Sequence, residues 1–158
     1  MTVSPDAFRS ALRRFASGVM IVTVAGGDEL HGMTASSFAS VSLDPPLVLV
    51  CLDKASRTLT LVAETGTFAV NVLRADQQDA SRAFSRPGLK PFASLPHRFG
   101  SNGAPVLDDA IAVLECATYS VLEAGDHEIV LGEVTAASAS GGEPLVYYDG
   151  GYRSLSDS

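Results

Sequence analysis

The sequence has no tryptophan and only two cysteines, and aromatic residues make up just 7% of the chain. Two cysteines cannot form the disulfide framework on which many small secreted domains depend. Cys51 and Cys116 both lie in apolar runs, so we expect buried small side chains in a cytoplasmic protein. A single bond between the two remains an alternative at this point.

Long apolar runs are also missing. No stretch of about 18 consecutive apolar residues occurs, so we expect no membrane-spanning helix. The first residues, from Met1 to Asp6, carry neither the basic nor the apolar part of a secretory leader, and we expect none.

Positive charge is scarce, because eleven Lys and Arg residues face eighteen Asp and Glu residues and give a formal net charge of −7. Proteins that bind nucleic acids usually show a basic excess or a basic stripe. We therefore expect neither a nucleic acid nor an anionic membrane as a partner. The acidic surface is typical of a soluble protein.

Several common catalytic motifs are absent. The chain has no G-x-G-x-x-G, no phosphate-binding G-x-x-x-x-G-K-[ST] and no G-x-S-x-G elbow. The three histidines, His31, His97 and His127, lie far apart and lack zinc-ligand spacing with the two cysteines. Rossmann, kinase, hydrolase and metal-site interpretations therefore have no support.

Short apolar and β-branched runs separated by turn residues dominate the chain. They predict strands at 19–24, 31–43, 47–52, 67–73, 111–122, 128–137 and 145–148. The run 47–52 is apolar throughout, so we expect burial on both faces of that strand. Strands in series with few helices predict a mostly antiparallel sheet closed into a barrel, and 158 residues predict a single domain, 1–158.

The first predicted helix begins after Ser4, a capping residue, with Pro5 at its first position. Gly18 would end it. Its apolar side chains recur on one face, at Phe8, Leu12 and Phe15.

Two further short helices are predicted, one over 58–65 that ends at Gly66 and one that Asp76 caps and that runs to Phe84. A Pro- and Gly-rich segment, 85–105, follows. Loops of this length inside a compact domain are usually functional or mobile.

Two polar stretches could bind a ligand. Residues 32–38 combine small residues with three hydroxyl groups, although an ordinary Ser/Thr-rich strand edge would look the same. Residues 53–58 place two cations and two hydroxyls at the start of a helix, which suits a phosphate. A solvated loop with a capped helix is the alternative for this second stretch.

A third stretch, Gly125-Asp126-His127-Glu128, has the residues of an ordinary hairpin turn, in which a histidine is usually just exposed. The residues alone therefore predict a mostly β domain with a candidate site for a phosphorylated ligand.

Taken together and in order, five stretches resemble the short-chain flavin reductases, the reductase components of two-component flavin-dependent monooxygenases. The resemblance spans roughly residues 7 to 155. The matching stretches are 32–42 with 44–48, 56–58, 68–73, 125–127 with 129–134, and 144–148 with 151–153.

This resemblance implies a six-stranded antiparallel Greek-key split β-barrel with a few short flanking helices, and a homodimer with flavin near the subunit interface. It implies FMN or FAD as cofactor, with NADH or NADPH as the hydride donor. The absence of an arginine cluster that suits a 2′-phosphate favours NADH, and NADPH stays an alternative. The implied cofactor-binding residues are Met33, Thr34, Ala35, Ser36, Ser37, Leu52, Asp53, Lys54, Ser56, Arg57, Thr58, Asn71, Val72, Leu73, Ser81, Arg82, Phe84, Asp126, His127 and Tyr152.

Within that set, 33–37 would line the isoalloxazine and ribityl groups, and 56–58 would hold the phosphate. His127 is the implied catalytic residue, because the family uses this position near the nicotinamide. The segment 86–92 departs from the family by its three Pro or Gly residues and leaves the choice between FMN and FAD open.

The implied activity is reduction of flavin by hydride transfer from the nicotinamide, with reduced flavin passing by diffusion to a monooxygenase. Two alternatives stay open. The protein could retain FMN and reduce another substrate, or it could bind flavin without turnover. The turn at 125–127 favours turnover, because flavin storage needs no nicotinamide pocket.

Overall fold

A computed structural model describes residues 2–155 of the chain. The predicted domain, 1–158, also contains Met1 and 156–158, which lie outside the described residues. The strands are β1 (Ser17–Gly18), β2 (Met20–Gly26), β3 (Glu29–Ala35), β4 (Phe38–Leu43), β5 (Pro46–Asp53), β6 (Thr67–Val72), β7 (His97–Phe99), β8 (Pro105–Leu107), β9 (Ala112–Ala124), β10 (His127–Ala139), β11 (Val146–Tyr148) and β12 (Gly151–Arg153). The helices are α1 (Pro5–Leu12), α2 (Arg57–Thr65) and α3 (Gln78–Ser85).

The main sheet is antiparallel and has the strand order β3-β2-β6-β9-β10-β5-β4. It contains seven strands, where the resemblance implied six. Its two edge strands, β3 and β4, follow each other in the chain with only two residues between them. Because β3 also lies against β5, the sheet curls until its edges come near each other. The mostly β prediction with a few short helices is confirmed.

Apolar residues cover both faces of the sheet. Every residue of β2 from Met20 to Val24 is buried, since one face packs under α2 and the other under α3 and β8. On β5 the expectation of burial on both faces is only partly right. Val48, Val50 and Leu52 are in the core, whereas the residues between them, such as Cys51, are half-buried.

The cysteines are both free, with Cys116 buried and Cys51 half-buried. The prediction of burial therefore holds for only one of them. Burial raises the pKa of the Cys116 thiol to about 12, so this side chain behaves as a small apolar group.

The predicted start of α1 is confirmed, because the Ser4 hydroxyl accepts a hydrogen bond from the Ala7 amide at 3.3 Å and Pro5 is the first helical residue. The predicted end is wrong. The helix stops at Leu12, and Gly18 pairs with Val146 in a strand instead.

The apolar face of α1 is exposed to solvent in the single chain. Its side chains are 54% to 75% accessible, and no residue of α1 is buried. The residues concerned are Phe8, Leu12 and, just beyond the helix, Phe15.

The other two helices contrast in how they begin and end. Helix α2 ends at Gly66 as predicted, with φ of 71°. The predicted cap of α3 is wrong, because Asp76 bonds to Arg74 at 2.7 Å and the helix starts two residues later, at Gln78. The guanidinium thus competes successfully for the carboxylate.

Strands β9 and β10 form a long hairpin, and Gly125 in its turn has φ of 66°. Between residues 85 and 105 the chain is mostly loop, with β7 pairing with β8. Among the described residues, no helix is both long and apolar enough to cross a bilayer.

Candidate functional site

A cleft of about 510 Å³ opens beside one end of the main sheet. One wall is formed by β3 and the turn from β5 into α2, and the other by the end of α3 and the loop that follows. A second recess of about 250 Å³ shares Thr34 and Ser85 with it. Predicted site residues that line one or both are Met33, Thr34, Ala35, Ser36, Asp53, Ser56, Arg57, Thr58, Ser81, Phe84 and Tyr152.

The turn into α2 leaves amide groups available to a ligand. The Asp53 carboxylate accepts a hydrogen bond from the Ala55 amide at 2.7 Å, and the Ser56 hydroxyl accepts one from the Leu59 amide at 3.1 Å. The first amides of a helix, here those of Arg57 and Thr58, have no acceptor one turn earlier. These groups and the helix dipole create a positive end that suits a phosphate.

Arg57 is held at this wall by two carboxylates. Its guanidinium donates to Glu29 through two nitrogens, at 2.7 Å and 3.1 Å, and lies 3.7 Å from Glu64. The hydrogen bond from Arg57 keeps the pKa of Glu29 below its usual value. The pair fixes the position of a cation beside the amide groups of α2.

His31 also lines the cleft, and sequence reasoning missed it. Its Nδ1 lies 2.9 Å from the Thr58 hydroxyl. Burial lowers the pKa of His31, and the positive charges of Lys90 and Arg57 add to this against the opposing effect of Glu29. The strand alternation could have revealed it, because His31 and Met33 are two residues apart on one face of β3.

The opposite wall is set close to β3 by a glycine. A Cβ at Gly32 would lie 3.1 Å from the Phe84 ring and 2.9 Å from the Val22 carbonyl oxygen. Gly32, one of the small residues in the predicted ligand-binding stretch 32–38, therefore leaves room for the Phe84 ring rather than for a ligand. Beyond Phe84, the Lys90 ammonium donates to the carbonyl oxygens of Phe84 at 3.2 Å and Arg86 at 2.5 Å.

The second recess is rich in hydroxyl groups. The Thr34 hydroxyl donates to the Ser81 carbonyl at 2.6 Å, and the Ser81 and Tyr152 hydroxyls lie 2.7 Å apart. Arg82 stacks on the Tyr152 ring at 5.2 Å and pairs with Asp79 at 3.2 Å. The recess therefore joins β3, α3 and the C-terminal hairpin β11–β12.

Nine predicted cofactor residues do not line these two spaces: Ser37, Leu52, Lys54, Asn71, Val72, Leu73, Arg82, Asp126 and His127. Leu52 and Leu73 are fully buried in the core, and Asn71 is buried within the sheet beside Val72. Lys54 is turned to the surface, where it pairs with Glu123 at 2.6 Å. Ser37 borders a separate hollow next to α1 and accepts from the Cys51 amide at 3.3 Å.

The Gly-Asp-His turn lies next to the main cleft. His127 pairs with Asp53 across the β5–β10 ladder, and the Lys54 amide donates to the Asp126 carbonyl at 3.1 Å. The His127 ring is 42% exposed, and its Nδ1 lies 2.7 Å from the Asp126 carboxylate. This hydrogen bond lowers the pKa of Asp126. The catalytic role of His127 stays a prediction.

Comparison with known proteins gives a consistent match. The flavin reductase like domain matches residues 12–156. A probable flavin reductase of Rhizobium meliloti is 47% identical over 94% of this chain, which spans only 48% of that protein. The reductase subunit HsaB of a flavin-dependent monooxygenase of Mycobacterium tuberculosis is 36% identical, over 97% of this chain and 83% of its own.

A solved structure is similar to this chain in both fold and sequence. The NADH:FAD oxidoreductase SgcE6 of Streptomyces globisporus, in complex with NAD and FAD fragments, superposes with a TM-score of 0.92 and 40% identity. The match covers 99% of this chain and 97% of that one.

Proposed function

The chain belongs to the flavin reductase-like family, and from this premise we propose that it is an NADH-dependent flavin reductase. It reduces FMN or FAD and supplies the reduced flavin to a partner monooxygenase. Two relatives support this activity, since one is the reductase subunit of a flavin-dependent monooxygenase and the other is an NADH:FAD oxidoreductase.

One observation carries the proposal. The main cleft and the recess that adjoins it bring together two stretches that are separate in the sequence, residues 33–36 and the turn at 53–58. The first would hold a ring and a polyol chain, and the second a phosphate at the end of the polyol. This order of chemical groups is the order along FMN.

The donor set fits a flavin. At one end the free amides of α2, with Arg57 beside them, would hold the phosphate. Met33 supplies an apolar contact for a ring, and the hydroxyls of Thr34 and Ser36 supply hydrogen bonds. The redox chemistry, hydride transfer from a nicotinamide to a flavin, would be supplied by the two cofactors when they are bound.

The protein contributes position rather than acid–base catalysis. We assign His127 to the nicotinamide side, because the β5–β10 ladder holds it beside Asp53 at the cleft edge. Holding two reacting rings in contact accounts for most of what such a site needs to do.

The curled main sheet supports the finer assignment of a split β-barrel, in which β3 and β4 form the split. A homodimer would explain why α1 presents Phe8, Leu12 and Phe15 to solvent, since an apolar stripe of this kind is normally covered. A cytoplasmic location agrees with two free cysteines.

The test is oxidation of NADH, followed at 340 nm, with purified protein and with FMN, FAD or no added flavin. We expect oxidation that requires added flavin and saturates with it. Oxidation by a yellow protein without added flavin would instead indicate retained FMN and another acceptor. Flavin binding without oxidation of either NADH or NADPH would leave a binding module.

A further inference from the structure

Cations without carboxylate partners are unevenly distributed on this acidic protein. All eleven Lys and Arg residues lie within the described part of the chain, and seven of them form ion pairs there. Two of the other four, Arg86 and Lys90, line the same wall of the main cleft. On a chain with a net charge of −7, two such cations at one cleft favour an anionic ligand.

Lys90 is held in place rather than free in solvent. Its ammonium donates to two carbonyl oxygens, those of Phe84 and Arg86, and the side chain is half-buried. An ammonium has three N–H donors, so one remains for a ligand. Burial lowers the pKa of Lys90, which a nearby anion would offset.

This wall faces the turn into α2 across the cleft. His31 lines the same cleft as Arg57 and Lys90. Burial lowers the pKa of His31, and the positive charges of Lys90 and Arg57 lower it further. The cleft lining therefore has two cationic positions, one at α2 that Glu29 compensates and one at 86–90 that has no carboxylate partner among residues 2–155. A ligand with two phosphates could engage both.

We propose that Arg86 and Lys90 form a subsite for the second phosphate of FAD, and that the protein consequently prefers FAD to FMN. The inference rests on the proposed function, which puts the first flavin phosphate at the start of α2. FMN ends at that phosphate, whereas FAD continues into a second phosphate and an adenosine. The cleft volume of about 510 Å³ lies within the range of natural cofactor pockets.

The experiment measures Kd for FAD and for FMN by flavin fluorescence on the full chain. The variants are Lys90→Met and Arg86→Gln, with Lys90→Arg as the charge-retaining variant. Arg98→Gln is the matched control, because Arg98 pairs with Asp108 and does not line the main cleft. The thermal unfolding midpoint of each variant shows that it is folded.

We expect Lys90→Met to weaken FAD about tenfold and FMN less than about twofold, as for loss of one hydrogen bond to a charged group. Arg86→Gln should act in the same direction, more weakly, because Arg86 is exposed. Lys90→Arg should retain most of the preference, and Arg98→Gln should change neither Kd.

Equal weakening of both flavins by Lys90→Met would overturn the subsite, because Lys90 would then act on the first phosphate. A rise in KM for NADH in Lys90→Met, with an unchanged Kd for FAD, would also overturn the subsite. Lys90 would then bind a phosphate of the nicotinamide dinucleotide rather than one of FAD. Failure of the proposed function looks different, because the unaltered protein would then bind neither flavin or oxidise no NADH.

Discussion

Two polar clusters of this molecule are built from similar groups but differ in exposure. In the first, the Asn71 amide donates to the Ile21 carbonyl and the Thr23 hydroxyl, each at 3.0 Å, and accepts from the Leu107 amide at 2.8 Å. Asn71 and Thr23 are completely buried. In the second, beside the main cleft, His31 is hydrogen-bonded to Thr58 and Arg57 to Glu29, and the Arg57 and Glu29 side chains stay 44% and 42% exposed.

This difference in exposure indicates that the first cluster stabilises the fold and that the second can bind a ligand. A buried cluster that saturates its own hydrogen bonds has no group to offer a ligand, and breaking it leaves polar atoms without water. A cluster at a cleft can exchange an internal bond for one to a ligand at little cost. Asn71 and Arg57 were both implied as cofactor residues, yet only Arg57 is placed for that role by its side chain.

The largest expected effect is on stability, from Asn71→Leu. The substitution leaves the Leu107 amide without its acceptor in the core and removes the donor to the Ile21 carbonyl and the Thr23 hydroxyl. We therefore expect a loss of about 2–4 kcal/mol in the free energy of unfolding. Urea denaturation measures it. Unchanged stability would contradict the structural role assigned to Asn71.

Arg57→Gln should change flavin affinity more than it changes stability. Loss of an exposed ion pair should lower the unfolding free energy only slightly, while flavin affinity falls about tenfold through loss of a phosphate contact. Arg74→Gln is the matched control, since Arg74 forms a comparable exposed pair with Asp76. A flavin Kd that moves equally in both variants would remove Arg57 from the phosphate site.

His127→Ala should have a smaller and more selective effect. The ring is half-exposed and belongs to neither cluster, so the fold should tolerate its loss. We expect KM for NADH to rise about three- to tenfold with little change in flavin Kd, consistent with loss of one partly exposed contact. Steady-state kinetics and flavin titration, run together, check this, and equal losses in both would argue against the nicotinamide assignment.

The smallest effect concerns pH and His31. Because its pKa is lowered in the folded protein, the unfolded state binds more protons as the pH falls below about 6.5. The stability that the neutral ring contributes is therefore full above that pH and is lost as the pH falls through the folded pKa.

His31→Asn removes this dependence. The unfolding midpoint should decline less between about pH 7.5 and 5.5 in the variant than in the unaltered protein. Identical declines in the two proteins would show that the folded and unfolded states protonate His31 alike.

Much of the fold follows from local sequence chemistry. Ser4 with Pro5 begins α1, Gly66 ends α2, and Gly125 marks the β9–β10 turn, because each position has a backbone requirement that few residues meet. The prediction failed where two groups compete for one partner. Asp76 was predicted to cap α3, but its carboxylate accepts from the neighbouring Arg74 guanidinium instead.

The candidate site was only partly predictable for the same reason. Residues 53–58 are contiguous, so their chemistry can be read directly from the sequence. The contributions of His31, Arg86 and Lys90 depend on how β3 and the loop after α3 meet across Gly32, and that is tertiary packing. Likewise, nothing local distinguishes the buried amide of Asn71 from one that faces a ligand.

The pairing of β5 with β10 also has a kinetic consequence. The β9–β10 hairpin closes through a two-residue turn and can form within microseconds. The pairing that brings Asp53 to His127 joins strands far apart in the chain, and contacts of that kind form slowly because a long loop must close first. We therefore expect the hairpin to act as the template in refolding, with the cleft assembled only when β5 docks on it.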